Sequence, residues 1–399
     1  MRVLLLTHRL PFPPNKGDKI RSFNVLSYLA RRHELYVVSL IDDPQDLRHV
    51  AQITTRTRGF VYRLIGRRLR VVRSLRALLR RRPVTVTCFY SPLLQRRIDS
   101  LIDAVPFDCY FCVSSPMAEY LYRSRHELGK AGAALRIMDF IDVDSYKWRQ
   151  YADQASFWTA WAYRLEALYL SAYEQRIART FDRLFIVSEQ ERDLFPDSTA
   201  RCRLLVLPNG VDLQFFNPRH VPLKPMAGRN MVFTGMMDYW PNIEGVKWFV
   251  ERILPRIRQL VPDARLYVVG SRPTPEVRRL ADIEGVTVTG FVEDVRDYLA
   301  GANVCVVPLR IARGIQNKVL EAMAMGKPVV TTTQAFTGVR AVAGEDIVVA
   351  DAEDDFVQAV VSLLHDAARA ERIGAHARSC VERHYSWESN LGKLAEIGL

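Results

Sequence analysis

The sequence has 399 residues, of which 49% are hydrophobic and 25% charged, and its formal net charge at pH 7 is +12. This composition is typical of a folded globular protein and excludes disordered, collagen-like and fibrous chains. The length exceeds what a single hydrophobic core normally serves, so we expect two or three domains.

The amino-terminal segment does not resemble a secretory signal. Its apolar run, Val3–Leu6, is too short, and Arg9 and a proline cluster follow it. No uncharged apolar stretch of about 18 residues occurs, so no membrane-spanning helix is predicted. We therefore expect a cytoplasmic protein, with a peripheral position on the inner face of the plasma membrane as an extension of that prediction.

The first half of the chain alternates short apolar runs with helical stretches. Strands are predicted at Val3–Thr7, Leu35–Leu40, Tyr110–Val113, Arg136–Phe140 and Arg183–Val187, and helices at Arg21–Arg31 and Trp158–Ala178. Runs that are apolar on both faces and separated by helices indicate parallel strands in a doubly wound sheet.

The segment Arg56–Arg82 carries eleven arginines and no acidic residue. Leucines and valines recur in it at roughly helical spacing, from Leu64 to Leu79. A basic amphipathic helix of this kind suits an anionic membrane surface. A solvated arginine-rich helix face is the alternative. Nucleic acid is not expected as a partner, because no recognised binding motif accompanies the patch.

Cys109 and Cys112 form a C-x-x-C pair, which suits a redox or zinc site in some proteins. Here the pair lies in an apolar run, and no second pair follows at zinc-finger spacing. Buried, reduced thiols on a strand are therefore the better interpretation.

The second half repeats the alternation more clearly. Strands are predicted at Leu204–Leu207, Met231–Thr234, Arg265–Val269, Val286–Thr289, Val304–Val307, Pro328–Thr331 and Ile347–Ala350. Helices are predicted at Ile243–Leu260, Thr274–Ile283, Val295–Ala300, Lys318–Ala324, Asp354–His365 and Ala367–Arg383. Glu191–Arg203 has little pattern and is a candidate linker. The prediction is an α/β protein with two Rossmann-like domains facing each other across a cleft.

Ligands of open α/β sheets bind at the carboxyl ends of the strands, so the strand-to-helix loops are the candidate site. The first such loop contains Gly17, which permits close backbone approach to a ligand, followed by Asp18 at the start of a helix. By itself this signal is weak, because glycine- and proline-rich loops are usually turns.

The most informative segment runs from Val306 to Thr331. Its loop carries Arg310, Arg313 and Gly314, and the helix that starts near Gln316 presents Lys318 and Glu321. Cations and free helix-start amides suit a diphosphate, while a carboxylate can accept hydrogen bonds from ribose hydroxyls. The alternative is that Glu321 only caps or pairs on its own helix.

This segment resembles the donor-site signature of the retaining glycosyltransferases of family 4, which have the GT-B fold. Leu207–Asp212, Tyr267–Ser271 and Val288–Val292 resemble further parts of that family in the right order. Met138–Trp148 and Ile186–Glu191 resemble sugar transferases associated with PEP-CTERM/exosortase exopolysaccharide systems.

The resemblance implies roles for individual residues. Glu321 matches the second glutamate of the family's Glu-x7-Glu motif, which binds the donor ribose, whereas Arg313 stands where the first glutamate would fall. Asp142 aligns with a cleft histidine beside the reacting sugar, although a helix N-cap is its alternative role. Asp142, Arg313 and Lys318 are the catalytic candidates.

The loop that begins at Gly235 departs from the family, because it lacks the arginine and lysine that bind the donor phosphates. Lys318, Arg313, Arg310 and Arg272 become the candidates for that role. The resemblance places the nucleotide base against Gly290, Phe291 and Val292. The remaining predicted donor contacts are Gly17, Asp18, Gly314, Ile315, Gln316 and Asn317.

The resemblance implies a retaining, metal-independent glycosyltransferase without a cofactor. Its predicted partners are a nucleotide-sugar donor and a glycan acceptor linked to polyprenyl diphosphate, in exopolysaccharide biosynthesis. The predicted domains are residues 1–195 for the acceptor, residues 196–383 for the nucleotide sugar, and a terminal helix at 384–399 that crosses back to the first domain.

Two other functions remain open at this point. A sugar-nucleotide epimerase shares the architecture, but it needs neither an acceptor groove nor a membrane-facing basic helix, so the basic segment Arg56–Arg82 argues against it. A non-catalytic subunit with the same fold would explain the missing loop cations and the missing first glutamate. Retention of Gly17, Lys318 and Glu321 argues for a working donor site.

Overall fold

The computed structural model describes residues 1–66, 77, 81–126, 134–222, 226–312 and 314–399. The chain divides into two compact units. Unit 1 consists of Met1–Pro208 with Leu391–Leu399, and unit 2 consists of Asn209–Asn390. Each unit has its own parallel sheet and its own helices, as the alternating pattern of the sequence predicts.

The sheet of unit 1 has the order β3-β2-β1-β4-β5-β6-β7, and every neighbouring pair is parallel. Its strands are β1 (Arg2–Thr7), β2 (Glu34–Ile41), β3 (Gly59–Leu64), β4 (Cys109–Val113), β5 (Leu135–Asp139), β6 (Arg183–Ile186) and β7 (Leu204–Val206). Its central strands are apolar on both faces, and β4 is buried throughout. Helices therefore cover both sides of the sheet.

The helices of unit 1 are α1 (Gly17–Ala30), α2 (Val50–Thr54), α3 (Val84–Phe89), α4 (Pro92–Ala104), α5 (Ala118–Tyr122), α6 (Asp144–Gln154), α7 (Phe157–Thr180), α8 (Glu189–Leu194) and α9 (Ser198–Arg201). Short 3-10 helices occur at Pro44–His49, Ser115–Met117 and Ala395–Ile397. The long α7 confirms the helix predicted before β6. Within the described ranges, no helix has the length and apolar character needed to cross a lipid bilayer.

The sheet of unit 2 has the order β10-β9-β8-β11-β12-β13 and is also parallel. Its strands are β8 (Arg229–Thr234), β9 (Ala264–Val269), β10 (Val286–Gly290), β11 (Val304–Val307), β12 (Val329–Thr331) and β13 (Val348–Val349). Its helices are α10 (Trp240–Trp248), α11 (Leu254–Leu260), α12 (Pro275–Arg279), α13 (Arg296–Gly301), α14 (Asn317–Ala324), α15 (Thr333–Phe336), α16 (Glu353–His365), α17 (Ala367–His384) and α18 (Trp387–Gly392).

The structure corrects the prediction in three places. Gly59–Leu64 forms the edge strand β3, so the predicted basic helix does not begin at Arg56; residues 67–76 and 78–80 of that segment lie outside the described residues. Glu191–Arg203 is not a featureless linker, because it contains most of α8 and all of α9. The helix predicted at Ile243–Leu260 is interrupted between α10 and α11 by a π-helical turn at Phe249–Ile253.

The division between the units also differs from the predicted one. The strand β7 pairs with β6, so Leu204–Val206 completes the sheet of unit 1 instead of opening the second domain. The two units meet in sequence at Pro208 and Asn209, where the prediction had 195 and 196. The terminal segment joins unit 1 from Leu391, where the prediction had 384.

The cysteines of the C-x-x-C pair are buried on β4, as predicted. Burial raises the pKa of the Cys109 thiol to about 12 and holds that of Cys112 well above its usual value. Reactive cysteines need a stabilised thiolate, so these two side chains act as small apolar groups of the core.

Candidate functional site

The sheet of unit 2 reverses its strand order at β8 and β11, which lie side by side in its middle. In doubly wound sheets, the carboxyl ends of such a strand pair form the crevice in which ligands bind. The loop after β8 begins at Gly235, and the loop after β11 leads to α14. The predicted donor residues from Arg310 to Glu321 therefore lie at this edge.

Glycines bring the loops of this edge close together. A Cβ atom on Gly270 would lie 1.7 Å from the carbonyl oxygen of Gly235. A Cβ atom on Gly235 would lie 2.7 Å from Nδ2 of Asn242 and 2.9 Å from Nζ of Lys318. A side chain at 270 would clash with backbone, and a Cβ at 235 would displace the Asn242 amide or the Lys318 ammonium, so glycine at 235 leaves these two groups in place.

Lys318 is held in place by groups from β8 and α10. Its Nζ donates to Oδ1 of Asn242 at 2.5 Å and lies 4.3 Å from the centre of the Phe233 ring. Asn242 is itself 5% exposed, and its Nδ2 donates to the carbonyl oxygen of Met236 at 2.8 Å. The amide orientation is thus fixed, and it turns an acceptor toward the lysine.

Burial affects both titratable groups on α14. Desolvation lowers the pKa of Lys318 to about 7, although the nearby Glu321 opposes the shift. Desolvation likewise raises the pKa of Glu321 to about 7, and Lys318 opposes that shift. Both residues keep part of their surface exposed, but their titrating groups are largely removed from water. An anion beside Lys318 would therefore favour its charged form.

The other predicted phosphate-binding cations are placed differently. Arg272 has a φ of 57° and lies 3.7 Å from the Asp238 carboxylate, which partly neutralises it. Arg310 is exposed, and its guanidinium lies 5.8 Å from the centre of the Trp248 ring. Arg313 lies outside the described residues. Lys318 lies against Gly235 itself, whereas Arg272 approaches the same loop through Asp238.

The residues that precede Lys318 complete this edge. Gly314 has a φ of 56°, and its carbonyl oxygen accepts a hydrogen bond from Nε2 of Gln316 at 3.2 Å. Ile315 is buried, whereas Oδ1 of Asn317 is buried without a hydrogen-bond partner among the described residues. An unpartnered buried acceptor at the start of α14 is available to a ligand.

The predicted base-binding residues lie at the end of β10. Gly290 ends this strand with a φ of 69°, and its carbonyl oxygen accepts from the backbone N–H of Gly270 at 3.2 Å. Phe291 is 76% exposed and Val292 half-buried. An exposed aromatic ring of this size at a strand end is suited to stacking on a flat ligand.

The candidates of unit 1 lie at the edge of its own sheet. Gly17 is the first residue of α1, and the Asp18 carboxylate accepts from Nη1 of Arg9 at 2.7 Å. Burial acts to raise the pKa of Asp18, but His8 and Arg9 outweigh it and hold that pKa well below its usual range. Asp18 is thus a charged member of an ion cluster.

Asp142 follows β5 directly after Ile141, whose φ is 67°. The helix α6 begins at Asp144 with Val143 as its N-cap residue, so Asp142 stands one position before the cap. This placement puts Asp142 at the carboxyl edge of the sheet of unit 1, next to the start of α6.

Sequence reasoning missed Asn242. The only local signal is a polar residue after Pro241 in the first turn of α10. This helix follows the loop that begins at Gly235, which lacks cations.

Among the described residues no cluster of three His, Cys, Asp or Glu side chains could hold a metal ion.

Comparisons with known proteins agree with this geometry. Residues 228–366, which make up most of unit 2, match the family described as "Glycosyl transferases group 1". A Corynebacterium glutamicum protein named GDP-mannose-dependent monoacylated alpha-(1-6)-phosphatidylinositol monomannoside mannosyltransferase is 31% identical over 48% of this chain and 55% of its own length. An uncharacterized protein from the cps region of Klebsiella pneumoniae is 20% identical over 96% of both chains.

Solved structures show the fold of the whole chain. Sucrose-phosphate synthase from Thermosynechococcus elongatus superposes with a TM-score of 0.72 at 17% identity, covering 100% of this chain and 98% of its own. Anabaena HepE, solved with UDP and glucose, gives 0.68 at 12% identity, with 99% and 98% covered. The chain therefore has the GT-B fold, and the match to the group 1 glycosyltransferases is confined to residues 228–366 of unit 2. The aligned part spans about half the length of the first mannosyltransferase.

Proposed function

We propose that the protein is a nucleotide-sugar-dependent glycosyltransferase whose donor site lies at the carboxyl edge of the sheet in unit 2. The observation that carries this proposal is the desolvated Lys318, held by Asn242 beside the side-chain-free Gly235. Burying an ammonium group costs free energy unless an anion compensates its charge, and the diphosphate of the donor would supply that compensation.

The proposed reaction is retaining and independent of metal. Lys318 would stabilise the charge that develops on the leaving diphosphate, and Glu321 would accept hydrogen bonds from the ribose. The leaving diphosphate would help to remove the proton of the attacking hydroxyl, which forms the new bond on the same face of the sugar. Protein groups then mainly orient the two substrates.

The proposed acceptor is a lipid-linked glycan of exopolysaccharide biosynthesis, carried on polyprenyl diphosphate and bound by unit 1. The name of the Corynebacterium relative, which specifies a phosphatidylinositol monomannoside, supports a lipid-linked acceptor. The resemblance of Met138–Trp148 and Ile186–Glu191 to exosortase-associated transferases supports the exopolysaccharide role.

A position on the inner face of an anionic membrane fits the exposed surface of α7. Trp161 and Leu168 are each 63% exposed on one face of this helix. That face also carries three arginines, and none of its exposed, described positions is acidic; its members are Trp161, Arg164, Leu168, Ala172, Arg176 and Arg179. Apolar and basic side chains on one helix face suit an anionic interface.

Sedimentation with vesicles tests this position. We expect the full chain to bind phosphatidylglycerol vesicles more strongly than phosphatidylcholine vesicles, and the double substitution Trp161→Ser, Leu168→Ser to weaken that binding severalfold. Leu260→Ser, which removes a side chain that is 51% exposed on unit 2, is the matched control and should leave binding unchanged. Equal binding to both vesicles would contradict the proposed location.

Calorimetric titration with UDP, GDP, UDP-glucose and GDP-mannose tests the proposed donor site. One nucleotide class should bind in the micromolar range, and Glu321→Ala should weaken it several-fold or more. Glu345→Ala, at an exposed carboxylate of unit 2, is the control and should have no effect. Absence of binding to any of the four compounds would favour a non-catalytic subunit with this fold.

A further inference from the structure

The sheet of unit 1 has its own point of reversal, which the donor site does not use. The chain passes from β1 to β2 and β3 on one side and then returns to β4 on the other side of β1. Thr7 ends β1, and its register partner on β4 is Val113. The carboxyl ends of β1 and β4 therefore form the crevice in which doubly wound sheets bind ligands.

Three polar side-chain atoms at this crevice are buried and have no hydrogen-bond partner among the described residues. They are Oγ1 of Thr7, Nδ1 of His8 and Oγ of Ser115. Their residues are 0%, 8% and 1% exposed. Buried polar atoms are almost always hydrogen-bonded in folded proteins, so three at adjoining strand ends call for an explanation.

The helix α3 links the two strand ends that carry these residues. His8 directly follows Thr7 at the end of β1, while Ser115 begins the 3-10 turn after β4. The helix α3 packs on that turn, and its Phe89 ring contacts the His8 ring at 5.5 Å between centres. Ser114, between β4 and Ser115, has a φ of 75°, a strained conformation that is often found at functional sites.

The ion cluster around Asp18 determines what His8 offers. Nε2 of His8 lies 3.2 Å from Oδ2 of Asp18, and that carboxylate also accepts from Arg9 at 2.7 Å. Arg9 in turn donates to Asp42 at 3.0 Å. The ionised Asp18 is contacted by Nε2 of His8 and by Arg9, so Nδ1 is the ring nitrogen of His8 that remains for a ligand.

A ring nitrogen beside two hydroxyls matches a neutral polyol. A sugar hydroxyl both donates and accepts, so it can pair with Nδ1 of His8, and its neighbours can exchange hydrogen bonds with Thr7 and Ser115. An anion is disfavoured, because the carboxylates of Asp18 and Asp42 lie in the ion cluster beside His8. The charge of Arg9 is already matched by Asp18 and Asp42.

We propose that Thr7, His8 and Ser115 form a hydroxyl-binding subsite for a sugar ring of the acceptor, with His8 oriented by Asp18. This inference rests on the proposed function, because it identifies which part of unit 1 recognises the glycan. Asp18 acts here as a positioning residue for His8.

Saturation-transfer NMR on the full chain tests the subsite. The probes are the methyl glycosides of mannose, glucose, galactose and N-acetylglucosamine. We expect transfer to at least one of them, and Thr7→Val should reduce that signal at least fivefold. Absence of transfer to all four, or an undiminished signal in Thr7→Val, would overturn the proposal.

Two substitutions of His8 separate binding from structure. His8→Asn places an amide oxygen where Nδ1 stands, whereas His8→Gln reproduces only the Nε2 donor to Asp18. The subsite requires the asparagine variant to keep more of the glycoside signal than the glutamine variant. A purely structural His8–Asp18 pair requires the opposite order, which would count against the proposal.

Thermal unfolding supplies an independent readout. Thr7→Val and Ser115→Ala remove hydroxyls that lack partners, so the melting temperature should stay the same or rise while glycoside binding falls. The control is Ser39→Ala, because Ser39 is paired with Thr7 in register and its buried hydroxyl donates to the carbonyl oxygen of Leu40 at 2.9 Å. That variant should melt lower and keep the glycoside signal.

Nucleotide calorimetry on the same variants distinguishes the two proposals. If the wild-type chain binds a nucleotide but no glycoside, the subsite is wrong and the donor site stands. If it binds a glycoside through Thr7 and His8 but no nucleotide, the subsite stands and the proposed transferase function fails. Variants of the subsite should leave the nucleotide dissociation constant unchanged.

Discussion

The two units place chemically different groups at equivalent edges of similar sheets. In unit 2 the charged Lys318 is fixed by Asn242 and an aromatic face, with glycine keeping the space in front of it clear. In unit 1 the hydroxyls of Thr7 and Ser115 and one nitrogen of His8 have no hydrogen-bond partner among the residues that the structure describes. Both edges contain a strand-order reversal.

The difference follows from the cost of burying each kind of group. A charge removed from water without compensation costs many times more than a neutral polar group, so a lysine must be partly satisfied before its ligand arrives. An unpartnered hydroxyl costs only about 1–3 kcal/mol, which a folded domain can tolerate. A site for a charged ligand is therefore preassembled, whereas the polar groups of a site for a neutral sugar can lack hydrogen-bond partners until the sugar binds.

Lys318→Met is the change with the largest expected effect on this comparison. Hydrogen bonds to charged groups contribute about 1.5–3 kcal/mol, so nucleotide affinity should fall roughly 10- to 150-fold in calorimetry. Lys327→Met is the matched control, because Lys327 is also on unit 2 but donates to the carbonyl oxygen of Ala300 at 2.6 Å. An equal loss in both variants would show that fold damage, and not the lost ligand contact, weakens binding.

The pH dependence of donor binding should come next in size. The pKa values of Lys318 and Glu321 are both about 7, and binding needs the charged lysine and the ionised carboxylate. Affinity should therefore peak near pH 7 and fall roughly tenfold over about 1.5 pH units on either side. UDP-glucose and GDP-mannose are the suitable ligands, because their esterified phosphates do not titrate in this range.

Two variants identify which residue causes the loss of affinity on each side of the pH profile. Lys318→Arg stays charged, so it should lose the alkaline decline, and Glu321→Gln should lose the acidic decline. A profile that is flat in the wild-type chain would break the contrast between a preassembled, titrating site in unit 2 and a neutral one in unit 1.

Gly235→Ala tests whether clear space matters at the donor site. Its Cβ would press on Asn242 and the Lys318 ammonium, so we expect an affinity loss of roughly tenfold, about 1.4 kcal/mol. Gly392→Ala is the control, since the position is helical and nothing in the described part of the chain outside that helix lies within 4 Å of the added Cβ. It should leave nucleotide binding intact.

The sequence predicted the fold better than it predicted the sites. Buried parallel strands such as β4 and β11 are continuous apolar runs and are recognised directly. The edge strand β3 was missed because its residues are only partly buried and its arginine suits a polar helix face as well. Local apolarity therefore identifies central strands and fails at sheet edges.

The same reasoning explains which site residues could be found. Lys318 and Glu321 stand three residues apart in a recognisable segment, so their association is local. Asn242 meets Lys318 across 76 residues, and no spacing in the sequence encodes that contact. His8 was passed over for a similar reason, because its meaning depends on Asp18 and on the absence of a partner for Nδ1, which only the fold reveals.

A buried carboxyl group of unit 1 should make the stability of the protein depend on pH. Glu174 is fully buried, and burial raises its pKa to about 8 even though Ser145 donates to it from Oγ at 2.5 Å and from its backbone N–H at 3.1 Å. The folded state thus keeps a proton that the unfolded chain releases above its ordinary pKa. Stability must then fall as the pH rises from about 5 to 8, by at most about 1.4 kcal/mol per unit.

Glu174→Gln should remove that slope, because the amide has no proton to lose and can still accept from the Ser145 N–H. Melting temperatures of the wild type and of Glu174→Gln should be measured between pH 5.5 and 8.5. They should converge toward the acidic end and differ by a few degrees at the alkaline end, where the variant melts higher. Glu396→Gln, at an exposed carboxylate of unit 1, should follow the wild-type curve. If both variants follow the wild type, Glu174 is ionised in the folded state and the expected pKa shift is absent.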